Sequence, residues 1–364
     1  MRRWGRILAP IAATGIAVAA ATAGVEWYLR RIVSSTRLSN VRPDATLGWD
    51  SVPSMVSIGN TGNRPAVYFA GDSFTQGKQW PAIAQRGAAA RGVGIDGYVL
   101  GVVGFGTTQE WLKIERDFDR HRPRLVVLQL YAWNDLRDNW PYPAIAYSPT
   151  VLGRPYLVPD ANGYHVVAAR PSAWPLSALE RTELWRSLGF RAALRLDDYV
   201  ARVALDALAR WRLPLSVDYS ERATWEPFYR PTDADRTYVR EAYGATREAF
   251  RRLDRFLRAR GARLVVAGLD NPFTVDPDVA DVWLRPDVSV DLGLPLRRIG
   301  ELLREEGIPF VDARPALLAV RQRTGRKVYN PPAGALWSHL EPAGEEAFGS
   351  VVAEQIVDAL GGGH

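Results

Sequence analysis

The 364-residue chain contains no cysteine. That excludes disulfide bridges, thiolate metal sites and cysteine nucleophiles, and it fits an oxidising or a reducing compartment equally. Histidine is scarce too: the four are His121, His165, His339 and His364, with no tight pair among them. So thin a set points to no metal centre, and no organic cofactor is indicated either. Lysine is nearly missing, with only Lys78, Lys113 and Lys327, so arginine carries the net charge of +6. The arginines are scattered and acids interrupt them, as Asp254 does within Arg251–Arg260. No basic stripe forms, and no nucleic-acid partner is expected. A GxxxxGKS/T phosphate loop is also lacking.

What is present is a globular composition, 47% apolar and 24% charged, far from that of a disordered chain. At the N-terminus, Arg2, Arg3 and Arg6 precede an uncharged apolar run from Ile7 to Val25. At about 1.5 Å per residue, that run spans roughly 28 Å of helix, close to a bilayer core. One reading is a signal peptide cleaved near Ala21-Thr22-Ala23. The preferred one is a single-span anchor within residues 1–31, because Trp27 and Tyr28 fall at interface depth and Arg30-Arg31 follow. Either reading places the bulk of the chain outside the cytoplasm. Residues 32–65 are polar and turn-rich, which suits a juxtamembrane stalk.

From Ala66 onward, short apolar runs alternate with helical segments. The runs Ala66–Ala70, Gly97–Val103, Arg124–Tyr131, Arg263–Leu269 and Ile308–Val311 read as strands covered on both faces. Helices are expected over Trp80–Arg91, Thr108–His121, Thr232–Arg260, Pro295–Glu306, Ala316–Thr324 and Pro342–Leu360. This alternation predicts an α/β fold, a three-layer sandwich around a mainly parallel sheet of about five strands, spanning residues 66–360. The pattern breaks between about residues 140 and 230, a tryptophan-rich stretch with an amphipathic run from Leu184 to Trp211. It reads as an inserted helical subdomain, or as a lid over a cleft.

In open parallel sheets, ligands bind beyond the carboxyl ends of the strands. "AVYFAGDSFTQG" puts Ser73 at such an end, either as a nucleophile or as the cap of the following helix. The surroundings are not a Gly-x-Ser-x-Gly elbow, because Thr75 stands where the second glycine would be. A serine nucleophile needs a base. His121 lies in the charged "DRHRPR", His165 in the insertion and His364 at the terminus, which leaves His339 in "ALWSHLEPAG". A developing oxyanion needs donors, and these are on offer from a backbone N–H at Gly104 ("GVVGFGTTQ") and an amide at Asn134 ("LQLYAWND"). Turn geometry and capping explain the same two residues equally well.

Together these four motifs resemble the SGNH (GDSL-like) hydrolases. "GDSFTQG" matches the first block of that family, Gly104 the second-block glycine, Asn134 the third-block asparagine (with Ala132 in place of the usual glycine) and His339 the last-block histidine. "RPDATLGWDSVPS", "YLVPDANGYHVV" and "LDNPFTVDPDV" look like a membrane-anchored bacterial branch, so the resemblance covers about residues 42–360. It implies Ser73 as nucleophile and His339 as base. The oxyanion hole it implies combines the Ser73 and Gly104 N–H groups with the Asn134 side chain. It also implies a substrate that carries an oxygen ester, an acyl or acetyl group on an envelope glycan, a lipid or a small molecule.

The sequence departs from the family at one point. The aspartate expected two or three residues before the histidine is replaced by Leu336 and Trp337, although such an acid orients and stabilises the imidazole. Three readings follow: a backbone carbonyl takes its place, an acid from elsewhere such as Asp135 or Asp312 reaches the histidine, or the site is impaired. Acyl transfer through the same serine and a non-catalytic assembly role on the same scaffold are the competing functional readings.

Overall fold

The structure is a computed structural model that describes residues 41–139, 154–168, 226–276, 289–330 and 339–361. The strands, in chain order, are β1 (Val41–Asp44), β2 (Gly48–Ser51), β3 (Val56–Ile58), β4 (Ala66–Ala70), β5 (Asp96–Val99), β6 (Leu125–Tyr131), β7 (Tyr156–Asp160), β8 (Gly163–Val167), β9 (Arg263–Leu269), β10 (Phe310–Asp312), β11 (Tyr329–Asn330) and β12 (His339–Leu340). The α-helices are α1 (Trp80–Ala90), α2 (Thr107–Asp117), α3 (Ala132–Asp138), α4 (Thr237–Arg258), α5 (Leu294–Glu305), α6 (Arg314–Thr324) and α7 (Pro342–Gly361).

The apolar runs build one six-stranded sheet in the order β10-β9-β6-β4-β5-β3. Five strands are parallel, and β3 closes one edge antiparallel to β5. The expected count of about five omits β3, whose Val56 and Ser57 are exposed and give no apolar run. Every residue of β6 is buried, as the central position of a strand covered on both faces requires. Helix α7 packs on α1 and α6, while α4 packs on α2, α3 and α5; right-handed crossovers put these two groups on opposite faces of the sheet. The chain runs from β4 outward to β5 and then returns to the other side of β4 as β6, so the strand order reverses at β4. Such a switch point opens a crevice at the carboxyl ends.

Three expectations need correction. The stalk expected over residues 32–65 is part of the folded body from Val41 on. There β1 and β2 form an antiparallel hairpin, and its buried Leu47 and Trp49 pack with Val102 and Phe105 as a second small core. Its Asp50 does not face water: the buried carboxylate pairs with the equally buried Lys113 at 2.6 Å and with Arg116 at 2.7 Å. The strand expected over Gly97–Val103 stops at Val99, because buried Leu100 and Val102 belong to the loop beyond it.

Within the expected insertion, the described residues 156–167 form the hairpin β7–β8 rather than helices. The amphipathic run Leu184–Trp211 and the N-terminal apolar segment lie outside the described residues. Among the described residues, no helix is long and apolar enough to cross a membrane.

Candidate active site

The turn after β4 is built by Gly71 and Asp72. A Cβ on Gly71 would stand 2.4 Å from Thr75 Oγ1 and 2.5 Å from the Gln129 side-chain amide, so only glycine fits between strand and turn. The Asp72 carbonyl accepts from Thr75 N at 3.1 Å and Gln76 N at 3.0 Å, and its carboxylate Oδ1 accepts from Phe74 N at 2.8 Å. This turn leaves Ser73 half-buried just beyond the carboxyl end of β4. Ser73 caps no helix. Helix α1 begins only at Trp80, and its first amides, Gln79 N and Trp80 N, donate to Glu345 Oε2 on α7.

His339 arrives from the far end of the chain on β12. Paired with β11, that strand sets His339 opposite Asn330 and Leu340 opposite Tyr329. Tyr329 OH in turn donates to the Asp270 carbonyl at the end of β9, 2.9 Å away. His339 Nε2 and Ser73 Oγ lie 3.0 Å apart, within hydrogen-bond range. The imidazole also rests against Phe74, with ring centroids 4.9 Å apart. The two residues singled out by position and elimination are thus in contact. His121 stacks on Tyr98 at 3.7 Å, and His165 pairs with Asp160 at 2.9 Å on the β7–β8 hairpin.

Asn134 sits in the first turn of α3, directly after β6, and is buried. Its Nδ2 donates to Asp72 Oδ2 at 2.9 Å, which ties it to the residue preceding Ser73 and leaves one amide hydrogen to point elsewhere. Gly104 has φ +72, the left-handed region that suits glycine. Its loop is bound to the Ser73 turn at two points: Val102 N donates to the Gly71 carbonyl at 3.0 Å, and Val103 N to Gln76 Oε1 at 2.6 Å. Among the described residues, neither the Ser73 nor the Gly104 N–H is used in a hydrogen bond. The loops that carry these N–H groups and Asn134 are thus tied to the Ser73 turn by hydrogen bonds.

The acids considered as support for His339 are engaged elsewhere. Asp135 Oδ2 accepts from Tyr131 N at 2.7 Å. Asp312 accepts from Arg314 N at 2.8 Å and pairs with the Arg314 guanidinium at 3.4 Å. Asp72 itself, fully enclosed, is pushed up to about 6 by burial, against the pull of Phe74 N–H and the Asn134 amide. Gln129 adds a further donor: its amide nitrogen, turned toward them, reaches Asp72 Oδ1 at 3.0 Å and Thr75 Oγ1 at 2.9 Å. Two more buried carboxyls, Glu110 and Asp135, are raised far above the ordinary range by burial, together with the charge of neighbouring acids.

Sequence reasoning missed Asp72 as the holder of Asn134, although it stands inside the quoted motif. It also missed Gln76 and Glu345, whose partners are loop and helix-end amides that leave no trace in apolar periodicity. Among the described residues, no cluster of histidines and carboxylates could hold a metal ion.

No family model matches the chain, and no curated protein matches it. Among solved structures, the chain is similar to a GDSL-like lipase from Bacteroides thetaiotaomicron (12% identity over 83% of this chain and 93% of that one, TM-score 0.37). It is also similar to a lipase/acylhydrolase from Enterococcus faecalis (12% identity, 80% of this chain and 95% of that one, TM-score 0.38). A third likeness is to a variant of an acetyl-xylooligosaccharide esterase from a Geobacillus (10% identity, 80% of this chain and 94% of that one, TM-score 0.38). At these TM-scores the similarities carry no functional weight of their own, and the reading of the site rests on its geometry.

Proposed function

We propose that the chain is a serine esterase of SGNH type, acting on an acyl or acetyl oxygen ester of an envelope glycan or lipid. The observation that carries this reading is the 3.0 Å approach of Ser73 Oγ to His339 Nε2 beside uncommitted N–H donors. In this reading Ser73 Oγ attacks the ester carbonyl as its proton passes to His339 Nε2. The carbonyl π electrons move onto oxygen, where the Ser73 and Gly104 N–H groups and the second Asn134 amide hydrogen receive the negative charge. Collapse expels the alcohol oxygen, which takes the proton from His339 and leaves an acyl-Ser73 ester. Water, deprotonated by the same imidazole, then releases the carboxylic acid and restores Ser73.

Labelling with a fluorophosphonate probe between about pH 6 and 9 tests the nucleophile. The folded wild type is expected to label and Ser73→Ala not to; a folded wild type that stays unlabelled sinks the reading and leaves a non-catalytic scaffold. Product analysis with a model acetyl ester, with and without a sugar acceptor, separates hydrolysis from acyl transfer. Free acetate in the presence of the acceptor supports the esterase, and acetylated sugar overturns it in favour of a transferase.

A further inference from the structure

We propose that Trp49 and Arg154 form a clamp that sets the Gly104 peptide as an oxyanion donor, so that the N-terminal hairpin and the β7 segment are working parts of the site. The proposal rests on the esterase reading above. Buried Trp49, on β2, donates its Nε1–H to the Val103 carbonyl at 2.9 Å. That carbonyl belongs to the same peptide unit as the Gly104 N–H. A carbonyl that accepts a hydrogen bond polarises its own amide and makes the N–H a stronger donor. The carbonyl on the other side of Gly104 is held as well, because Arg154 Nη2 donates to Gly104 O at 3.1 Å. Both peptide planes flanking a residue at φ +72 are therefore pinned, and the freedom that glycine would otherwise keep is removed.

The clamp is a single unit. The Arg154 guanidinium lies over the Trp49 ring, 5.3 Å from its centroid, and Arg154 Nη1 pairs with Asp138 Oδ2 at 3.1 Å, both side chains 1% exposed. Asp138 is one helical turn beyond Asn134 on α3. Arg154 thus joins the loop carrying one proposed oxyanion donor to the helix carrying another and sets their separation. Trp49 is held in its turn. Gln109 Nε2 donates to the Leu47 carbonyl at 2.7 Å, and the neighbouring Asp50 is locked to Lys113 and Arg116 on α2. Neither Trp49 nor Arg154 belongs to the four motifs, and both act through Gly104 as positioning residues.

The test uses the full chain, the fluorophosphonate probe and 4-nitrophenyl acetate. Trp49→Phe keeps an aromatic ring in the small core and removes the indole N–H together with part of the ring volume. It is expected to lower kcat and the labelling rate by about tenfold, a fraction of the cost of deleting an oxyanion donor outright, with KM within about twofold and an unchanged circular dichroism spectrum. Should Trp49→Phe lose the fold, Arg154→Lys carries the same test. It keeps a cation beside Asp138 and drops the second donor to Gly104, and the same split of kcat from KM is expected. A folded variant that labels and turns over at the wild-type rate overturns the clamp while leaving the esterase reading intact, as does one in which only KM moves. A wild type that neither labels nor turns over overturns both.

Discussion

Asp72 gathers Phe74 N–H and the Asn134 amide onto one buried carboxylate, so the residue before the proposed nucleophile sets both the turn and the proposed oxyanion side chain. Bonds to an ionised acceptor are roughly twice as strong as neutral ones. Burial lifts this group to about 6, which places its loss of charge within the working range of an esterase. In Asp72→Asn the charge is gone at every pH. We expect kcat at pH 8 to fall roughly tenfold, the lower end for losing a group that orients a functional side chain. As pH falls through about 6 the wild type becomes protonated at Asp72, so the gap between the two proteins should narrow. Parallel pH profiles of kcat would contradict the assignment. Ser73 and His339 were legible as residues because each stands at a strand end or in the last loop. The part played by Asp72 was not, because an aspartate after glycine reads equally as a turn former.

At the scale of elements, the join between α1 and α7 holds the two halves of the site together. Glu345, in the first turn of α7, accepts the leading amides of α1, and Trp80 meets Phe348 edge-on at 4.9 Å. Glu345→Ala should cost about 1 kcal/mol, as lost helix caps do, seen as a lower urea midpoint at unchanged slope. It should also slow fluorophosphonate labelling, since α7 follows His339 directly. A lowered midpoint with labelling untouched would confine Glu345 to a structural role.

Element boundaries in the sequence followed burial. Strands β4 and β9 have the bounds their apolar runs predict. Helix α3 was missed because seven residues in "AWNDLRD" show no full amphipathic period. The β1–β2 hairpin was misread as a stalk because its polar residues look solvated, whereas Asp50 spends its charge on Lys113 and Arg116 inside the fold.

The whole molecule carries a set of buried acids with little to neutralise them. Asp270 is pushed up from 3.8 to about 7 by burial, against donation from Tyr229 OH and Asn271 N–H. Glu110 and Asp135 shift the same way. A carboxyl raised on folding binds its proton more tightly in the native state. Its contribution to stability is therefore complete below about 4 and is lost as pH climbs toward about 7. Asp270→Asn keeps an oxygen for Tyr229 and Asn271 and cannot ionise. The melting temperature of the wild type relative to this variant should therefore drop steadily from pH 4 to 7. A constant difference across that window would show that Asp270 titrates as an ordinary carboxyl. Nothing in the sequence marks Asp270 as buried, because its enclosure depends on Tyr229 and Tyr329, far away along the chain.

The contact between Ser73 and His339 spans 266 residues, and this bears on when the protein acquires chemistry during its own synthesis. At about 5–20 residues per second, a ribosome needs on the order of tens of seconds to travel from the serine codon to the histidine codon. On the esterase reading, the nascent chain then has a nucleophile without its base throughout that interval. On that same reading, the step from inert to competent coincides with emergence of the β12–α7 segment that brings His339 to Ser73.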